Sequence, residues 1–147
     1  EKPIFIKEAA QMSEEKRYSG SCLCGGLRYE VQGEIGELLQ CHCQRCRKAN
    51  GTAFATNALI QKADFKILQG AHLLKKFQST ATAQRCFCAD CGSPIISIKS
   101  DTPKLYRLRI GTLDTPLQQK PTKHIFVAYK AEWDNICDGL AQYDERP

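Results

Sequence analysis

The stretch Cys41-His42-Cys43-Gln44-Arg45-Cys46 decides how the fold is read. Three thiols fall within six residues, in the pattern C-x-C-x-x-C. In an extended backbone, side chains two apart share a face, so Cys41 and Cys43 point the same way. A turn after Cys43 returns Cys46 to the same point. The result is a clamp of three soft donors for one metal ion. Structural zinc sites take four protein ligands, whereas catalytic ones commonly take three and keep a position for water or substrate. The chemistry therefore turns on whether the rest of the chain supplies a fourth.

The chain holds nine cysteines in 147 residues, eight of them in three tight groups with Cys137 alone. Upstream of the clamp stands Cys22-Leu23-Cys24-Gly25-Gly26, and downstream Cys86-Phe87-Cys88-Ala89-Asp90-Cys91-Gly92. Cys88 and Cys91 have the C-x-x-C-G form of a zinc knuckle, whose glycine permits a tight positive-φ turn. Cys22 and Cys24, also followed by glycine, form a matching half. These four make a closed Cys₄ site, which contributes folding energy directly. Cys41, Cys43 and Cys46 remain as a separate trio. Cys86 is the rival for a fourth position there, and is otherwise a small buried thiol. His42 lies on the opposite face of the extended segment. It is a candidate ligand or proton carrier, or simply a packed ring. Spacing favours one closed site and one open site, and all-sulfur ligation favours zinc in both. Cys137 is expected to be inert.

Size and composition point to one soluble domain. A chain this long buries roughly 68–70% of its unfolded surface. A hydrophobic fraction of 42% and a charged fraction of 25% are ordinary for such a domain. No run of 18 apolar residues occurs, so no membrane span is expected. Residues 1–20 are charged and lack the apolar centre of a signal peptide. A cytoplasmic location follows, where thiols stay reduced. A disulfide-rich secreted fold is the alternative that tight C-x-C and C-x-x-C spacings disfavour. The formal charge of +5 falls to about +2 once seven thiolates and two zinc ions are counted. No stripe of interleaved aromatic and basic residues marks a nucleic-acid surface.

Along the chain the texture is that of short strands. Leu27, Tyr29 and Val31 alternate with Arg28, Glu30 and Gln32, a half-buried strand. Leu38–Cys41 is a strand leading into the clamp. Gln44–Asn50 is a short helical turn ended by Asn50-Gly51. Ala53–Ile60 is an apolar strand. Phe65 and Ile67 lie in another, closed by Gln69-Gly70. His72–Phe77 and Thr82–Phe87 form a hairpin pair. Pro94–Lys99 and Leu105–Ile110 flank the turn Asp101-Thr102-Pro103. In the latter strand Tyr106, Leu108 and Ile110 face one way, and Leu105, Arg107 and Arg109 the other. His124–Tyr129 is the last strand, and Trp133–Tyr143 a helical turn plus loop. Ile4, Phe5 and Ile6 lie along a sheet edge or a neighbouring chain. The regular spacing predicts a mostly β, single-domain protein built of short antiparallel strands, arranged as a sandwich or barrel-like assembly.

The order C-x-C-G, C-H-C-x-x-C-R-K, R-x-F-C-x-x-C-G-S-P and G-T-L-D resembles the glutathione-dependent formaldehyde-activating enzyme family, which also contains centromere-protein-V-like proteins. The matching residues are Cys22 to Gly25, Cys41 to Lys48, Arg85 to Pro94 and Gly111 to Asp114, with Trp133 and Asp138-Gly139-Leu140 similar. The resemblance covers roughly residues 18–143 and implies a zinc-containing β-tent, with residues 1–17 as an N-terminal extension and 18–147 as the domain. It implies a structural zinc on Cys22, Cys24, Cys88 and Cys91 and a catalytic zinc on Cys41, Cys43 and Cys46. It also implies a carbon–sulfur lyase activity that joins glutathione to formaldehyde as S-hydroxymethylglutathione. Cys86 departs from the pattern, and no residue is singled out for recognising glutathione.

The expected partners are therefore a small thiol such as glutathione and an aldehyde. Arg45, Arg47 and Lys48 beside the clamp suit an anionic thiol. His42, Asp114, His124 and Tyr129 are candidates to carry the proton. The alternative is a non-catalytic zinc-binding module for protein or nucleic-acid interaction, with the second zinc merely stabilising. The sequence leaves the oligomeric state open.

Overall fold

The computed structural model describes residues 16–147. The expectation for Ile4, Phe5 and Ile6, and most of the proposed N-terminal extension, lie outside them. Two sheets build the fold. The smaller is antiparallel and three-stranded, in the order β1 (Arg17–Ser21), β2 (Arg28–Gln32), β5 (Phe65–Gln69). The larger has eight strands. From one edge these are β11 (Ala141–Gln142), β10 (Lys123–Ile125), β3 (Leu39–Cys41) and β4 (Ala55–Gln61). They continue through β9 (Leu105–Arg109), β8 (Pro94–Lys99), β7 (Ala83–Cys88) and β6 (Leu74–Gln78). The protein is thus mostly β and built of short strands, as the spacing predicted. The α-helix among the described residues, α1 (Gln44–Asn50), begins inside the clamp and carries Cys46.

Period-two patterning explains which faces meet. In β2, Tyr29 and Val31 are fully buried while Arg28 and Gln32 are exposed. In β9, Leu108 joins the same core, with Ala58 and Ile60 of β4 and Ile96 of β8. These residues fill the space between the two sheets. The other face of the large sheet carries Arg107 and Arg109 of β9, Asn57 and Leu59 of β4, and Ser97 and Lys99 of β8, and it lines an open cleft.

Two expectations are corrected. The last strand does not run to Tyr129: it stops at Ile125, because Phe126 takes a left-handed conformation at φ 56° and Val127–Tyr129 turns as a 3₁₀ helix. The segment from Trp133 contains no helix. It is a loop that ends in β11, pairing parallel to β10, which itself pairs parallel to β3. This parallel edge places the C-terminal segment against the strand that carries the clamp. A smaller correction is at Ile110, which leaves β9 and starts a 3₁₀ turn.

Candidate metal centres and cleft

Two groups of thiols come together among the described residues. Cys22, Cys24, Cys88 and Cys91 form one and Cys41, Cys43 and Cys46 the other, with all sulfurs of a group within 4.8 Å of one another. Thiolates at about 2.3 Å from a tetrahedral zinc stand roughly 3.8 Å apart. The sulfurs of Cys22 and Cys24 are 3.5 Å apart and those of Cys24 and Cys88 3.9 Å apart, so this donor set fits such an ion. The all-sulfur chemistry of both groups suits a thiophilic cation.

The four-thiol group joins the two sheets. Cys22 and Cys24 follow β1 of the small sheet, and Cys88 ends β7 of the large one. Backbone amides orient the sulfurs: Leu27 N–H donates to Cys22 Sγ at 3.2 Å. Gly92, at φ 80°, makes the positive-φ turn expected after the knuckle, and its N–H donates to the Cys88 carbonyl at 2.8 Å. Ser93 ties the halves together. Its Oγ accepts from Leu23 N–H at 2.8 Å and lies 3.4 Å from Cys91 Sγ. The Ser93 hydroxyl and amide hold the Cys91 thiol well below its ordinary value.

The trio forms where β3 hands over to α1. Cys41 ends the strand, and Cys43 is the residue that caps the helix, its sulfur accepting from Cys46 N–H at 3.3 Å. A sulfur here takes the place of the usual Ser or Asp oxygen. Gly51, in the left-handed region at φ 66°, closes the helix after two turns. Hydrogen bonds from Cys41 and Cys46 hold the Cys43 thiol far below its ordinary value, and the same bonds with Cys43 and Cys46 push Cys41 up. No fourth Cys, His, Asp or Glu joins the trio among the described residues. Cys86, the expected rival, is 1% exposed in the core between the sheets and belongs to neither group.

His42 is fully buried, with Nε2 2.8 Å from His124 Nδ1. His124 Nε2 in turn lies 2.8 Å from Asp138 Oδ2. This chain runs from the clamp strand through β10 to the C-terminal loop, and Phe54 stacks at 5.1 Å from His42. Neither imidazole lines the cleft. Asp114 accepts from Ser21 Oγ at 2.7 Å beside the first hairpin, also away from the trio. Of the four candidate proton carriers, Tyr129 lines the cleft.

The trio opens into a cleft of about 670 Å³ on the outer face of the large sheet. Its walls carry Arg45, Arg85, Lys99, Arg107, Arg109 and Arg146 against two carboxylates, Glu37 and Glu145. Glu37 is engaged with Lys123 at 3.2 Å, and Glu145 accepts from the Tyr129 hydroxyl at 3.5 Å. Arg85 Nη2 donates toward Cys46 Sγ at 3.8 Å. Arg109 is 5% exposed, and burial pushes its guanidinium down to about 10. Burial also lowers Arg107 and Lys99, each with a neighbouring cation adding to the effect. Of the three basic residues singled out in the sequence, Arg45 lines this cleft, Lys48 lines a neighbouring apolar pocket, and Arg47 lines neither. Arg85, Arg107, Arg109 and Lys99 were missed as site residues. The signal available in the sequence was the outward alternation of Arg107 and Arg109 along β9.

Fold and site together define a β protein with two cysteine groups that could each hold a metal ion, one of them lining a cationic cleft. The family model described as glutathione-dependent formaldehyde-activating enzyme matches residues 17–129, and the chain belongs to that family. Among curated relatives, an uncharacterized lyase of Schizosaccharomyces pombe is 30% identical over 53% of this chain and 55% of its own length. Proteins of Aspergillus flavus and Aspergillus oryzae, named as candidate glutathione-dependent formaldehyde-activating enzymes, are each 26% identical over 56% of this chain and 44% of theirs. The chain spans about half the length of these relatives. A Rhodobacter sphaeroides protein of known crystal structure shares the fold, with a TM-score of 0.56, 23% identity, and coverage of 85% of this chain and 98% of that one.

Proposed function

We propose that this protein is a carbon–sulfur lyase acting on thiol–aldehyde adducts, with Cys41, Cys43 and Cys46 as its catalytic metal site and Cys22, Cys24, Cys88 and Cys91 as its structural one. The observation that carries this reading is the trio itself: three thiols without a fourth protein donor among the described residues, on the floor of a cleft large enough for a tripeptide-sized thiol. Names carried by relatives point the same way, to glutathione and formaldehyde. Zinc held by the trio would supply the positive charge that keeps a nearby thiol ionised at neutral pH.

The chain's own residues then bind and orient. The cationic walls hold an anionic thiol in the cleft, and Arg85, beside Cys46, stabilises negative charge next to the reacting atoms. In the adduct-forming direction the thiol sulfur bonds to the aldehyde carbon and the carbonyl π pair moves to oxygen. That oxygen takes up the proton the thiol gave up. We assign the passing of this proton to the Tyr129 hydroxyl, because it is the candidate that lines the cleft. The lyase direction reverses these steps. Reduced thiols suit a reducing compartment, the cytoplasm.

Native mass spectrometry with and without glutathione, followed by exchange NMR on glutathione and formaldehyde, tests the proposal. Two bound zinc ions, one perturbed by the thiol, together with exchange faster than the protein-free rate, are expected. Two zinc ions indifferent to thiols, with exchange at the background rate, would overturn it.

A further inference from the structure

The cleft wall contains cations whose side-chain donors are not all used. Arg85 of β7 pairs in register with Ser97 of β8, and Ser97 pairs with Arg107 of β9. The three residues therefore form one row across three strands on the cleft face. Neighbouring strands are about 4.8 Å apart, so the two arginines stand roughly 10 Å apart at the backbone with a small residue between them. Ser97 is 7% exposed, so the gap is deep rather than at the rim. Both arginines have a buried Nη1 with no hydrogen-bond partner. Arg109, one alternation further along β9, is 5% exposed, and among the described residues no carboxylate pairs with any of the three.

A buried guanidinium, as in Arg109, and buried guanidinium donors without partners, as in Arg85 and Arg107, are costly to keep unless something compensates them. The trio compensates in part, through Arg85 Nη2 and Cys46 Sγ. A zinc held by three thiolates carries a net charge of only −1. Counted against the six cations and two carboxylates of the cleft, it leaves a surplus of three positive charges. Ser97 contributes room and no charge. A planar carboxylate is the anion that guanidinium forks bind bidentately, and both arginines flank this gap.

We propose that Arg85 and Arg107, flanking Ser97 and backed by Arg109, form a carboxylate subsite, so that the protein selects thiol adducts bearing a carboxylate and discriminates against neutral or cationic ones. The proposal rests on the reading of the cleft as a thiol-adduct site and names the substrate class that the site accepts. The subsite lies within reach of Cys46, so one end of the ligand is fixed by its carboxylate while the other reaches the trio. Arg45, exposed on α1, contributes only diffuse attraction.

Isothermal titration calorimetry of the zinc-loaded protein with S-methylglutathione and with its diester tests this without requiring turnover. The thioether has no thiol to ionise, so the comparison isolates the carboxylates. The free acid is expected to bind about tenfold to a hundredfold more tightly than the diester, the worth of a charge-assisted hydrogen-bond pair. Arg107→Gln should remove most of that preference, and Arg107→Lys should restore only part of it. Ser97→Val keeps every charge and fills the gap, so it should weaken the free acid alone. Circular dichroism and zinc content establish that each variant is folded, and Ser97→Val and Arg107→Lys keep the test informative should Arg107→Gln unfold.

Equal affinity for acid and diester, no binding of either, a preference untouched by both Arg107→Gln and Ser97→Val, or an equal loss on Arg45→Gln would each overturn the subsite. Exchange NMR separates this from the lyase reading. Discrimination without catalysed exchange keeps the subsite and removes the lyase. Catalysed exchange with equal rates for glutathione and its diester removes the subsite and keeps the lyase.

Discussion

Replacing Cys88 and, separately, Cys43 by serine compares a long-range cross-link with a local one. In the four-thiol group, Cys24 and Cys88 are 64 residues apart. In the trio, Cys41 and Cys46 are five apart. Loop-closure entropy grows as (3/2)RT ln n, and for these two lengths the difference is about 2 kcal/mol. A metal that closes the longer loop therefore stabilises the fold by about that much more. Cys88 is also fully buried, so a serine hydroxyl there adds a burial penalty of about 1–3 kcal/mol. Cys86→Ser measures that penalty alone, because Cys86 is equally buried two residues away and belongs to neither thiol group. Zinc-loaded Cys88→Ser is expected to lie below both Cys43→Ser and Cys86→Ser by at least about 2 kcal/mol, a melting shift of roughly 4–8 °C at this chain length. Thermal melts by circular dichroism, with zinc counted by atomic emission, provide the measurement. If Cys43→Ser melts as low as Cys88→Ser, the trio braces the fold as strongly as the four-thiol group, and the division into structural and catalytic sites fails. If Cys88→Ser matches Cys86→Ser, no metal cross-links the sheets at that point.

Three further outcomes are expected. Burial pushes the Tyr29 phenol up to about 12, against an ordinary value of 10, although its hydroxyl shares a hydrogen bond with Thr112. A raised folded-state value means the stabilising contribution is complete below pH 10 and is lost as pH rises through 12. Wild type should lose about 2–3 kcal/mol over that window in urea titrations that Tyr29→Phe does not lose; parallel losses in both would refute the assignment. Leu108→Ala, at a fully buried position between the sheets, should cost about 2–5 kcal/mol with an unchanged trio, read as a lower denaturation midpoint with two zinc ions still bound. Treatment with a chelator and a colorimetric zinc indicator should release the metal in two phases, with only the slower accompanied by loss of β-sheet signal, since four thiolates hold more tightly than three and close the longer loop. Simultaneous release with unfolding would contradict it.

Much of this was legible along the chain because metal ligands and strands declare themselves locally. Tyr29 and Val31 alternate with polar neighbours, and the structure buries them. Gln44–Asn50 folds as the helix expected before Gly51. The separation of seven cysteines into four and three follows from spacing, and the structure gathers both groups. Cys86 was ambiguous in sequence because it shares a strand with Cys88. In the structure it packs between the sheets in the same core cluster as Cys88, without joining either thiol group. The parallel edge could not be read because β3 and β10 are distant in sequence and no local pattern marks a parallel partner.

The amino-acid order carries the clamp and the knuckle, since a metal needs its donors close together and short spacings supply them. It pointed to Arg45, Arg47 and Lys48 as the cationic neighbours of the clamp, because they adjoin it in the chain. A helix turns each successive residue by about 100°, and that rotation leaves Arg45 alone of the three in the cleft with the trio. Only tertiary structure assembled the wall opposite, from Arg85, Ser97 and Arg107 on three neighbouring strands. Their meeting depends on the register of β7, β8 and β9, a property of pairing between segments that no one segment carries.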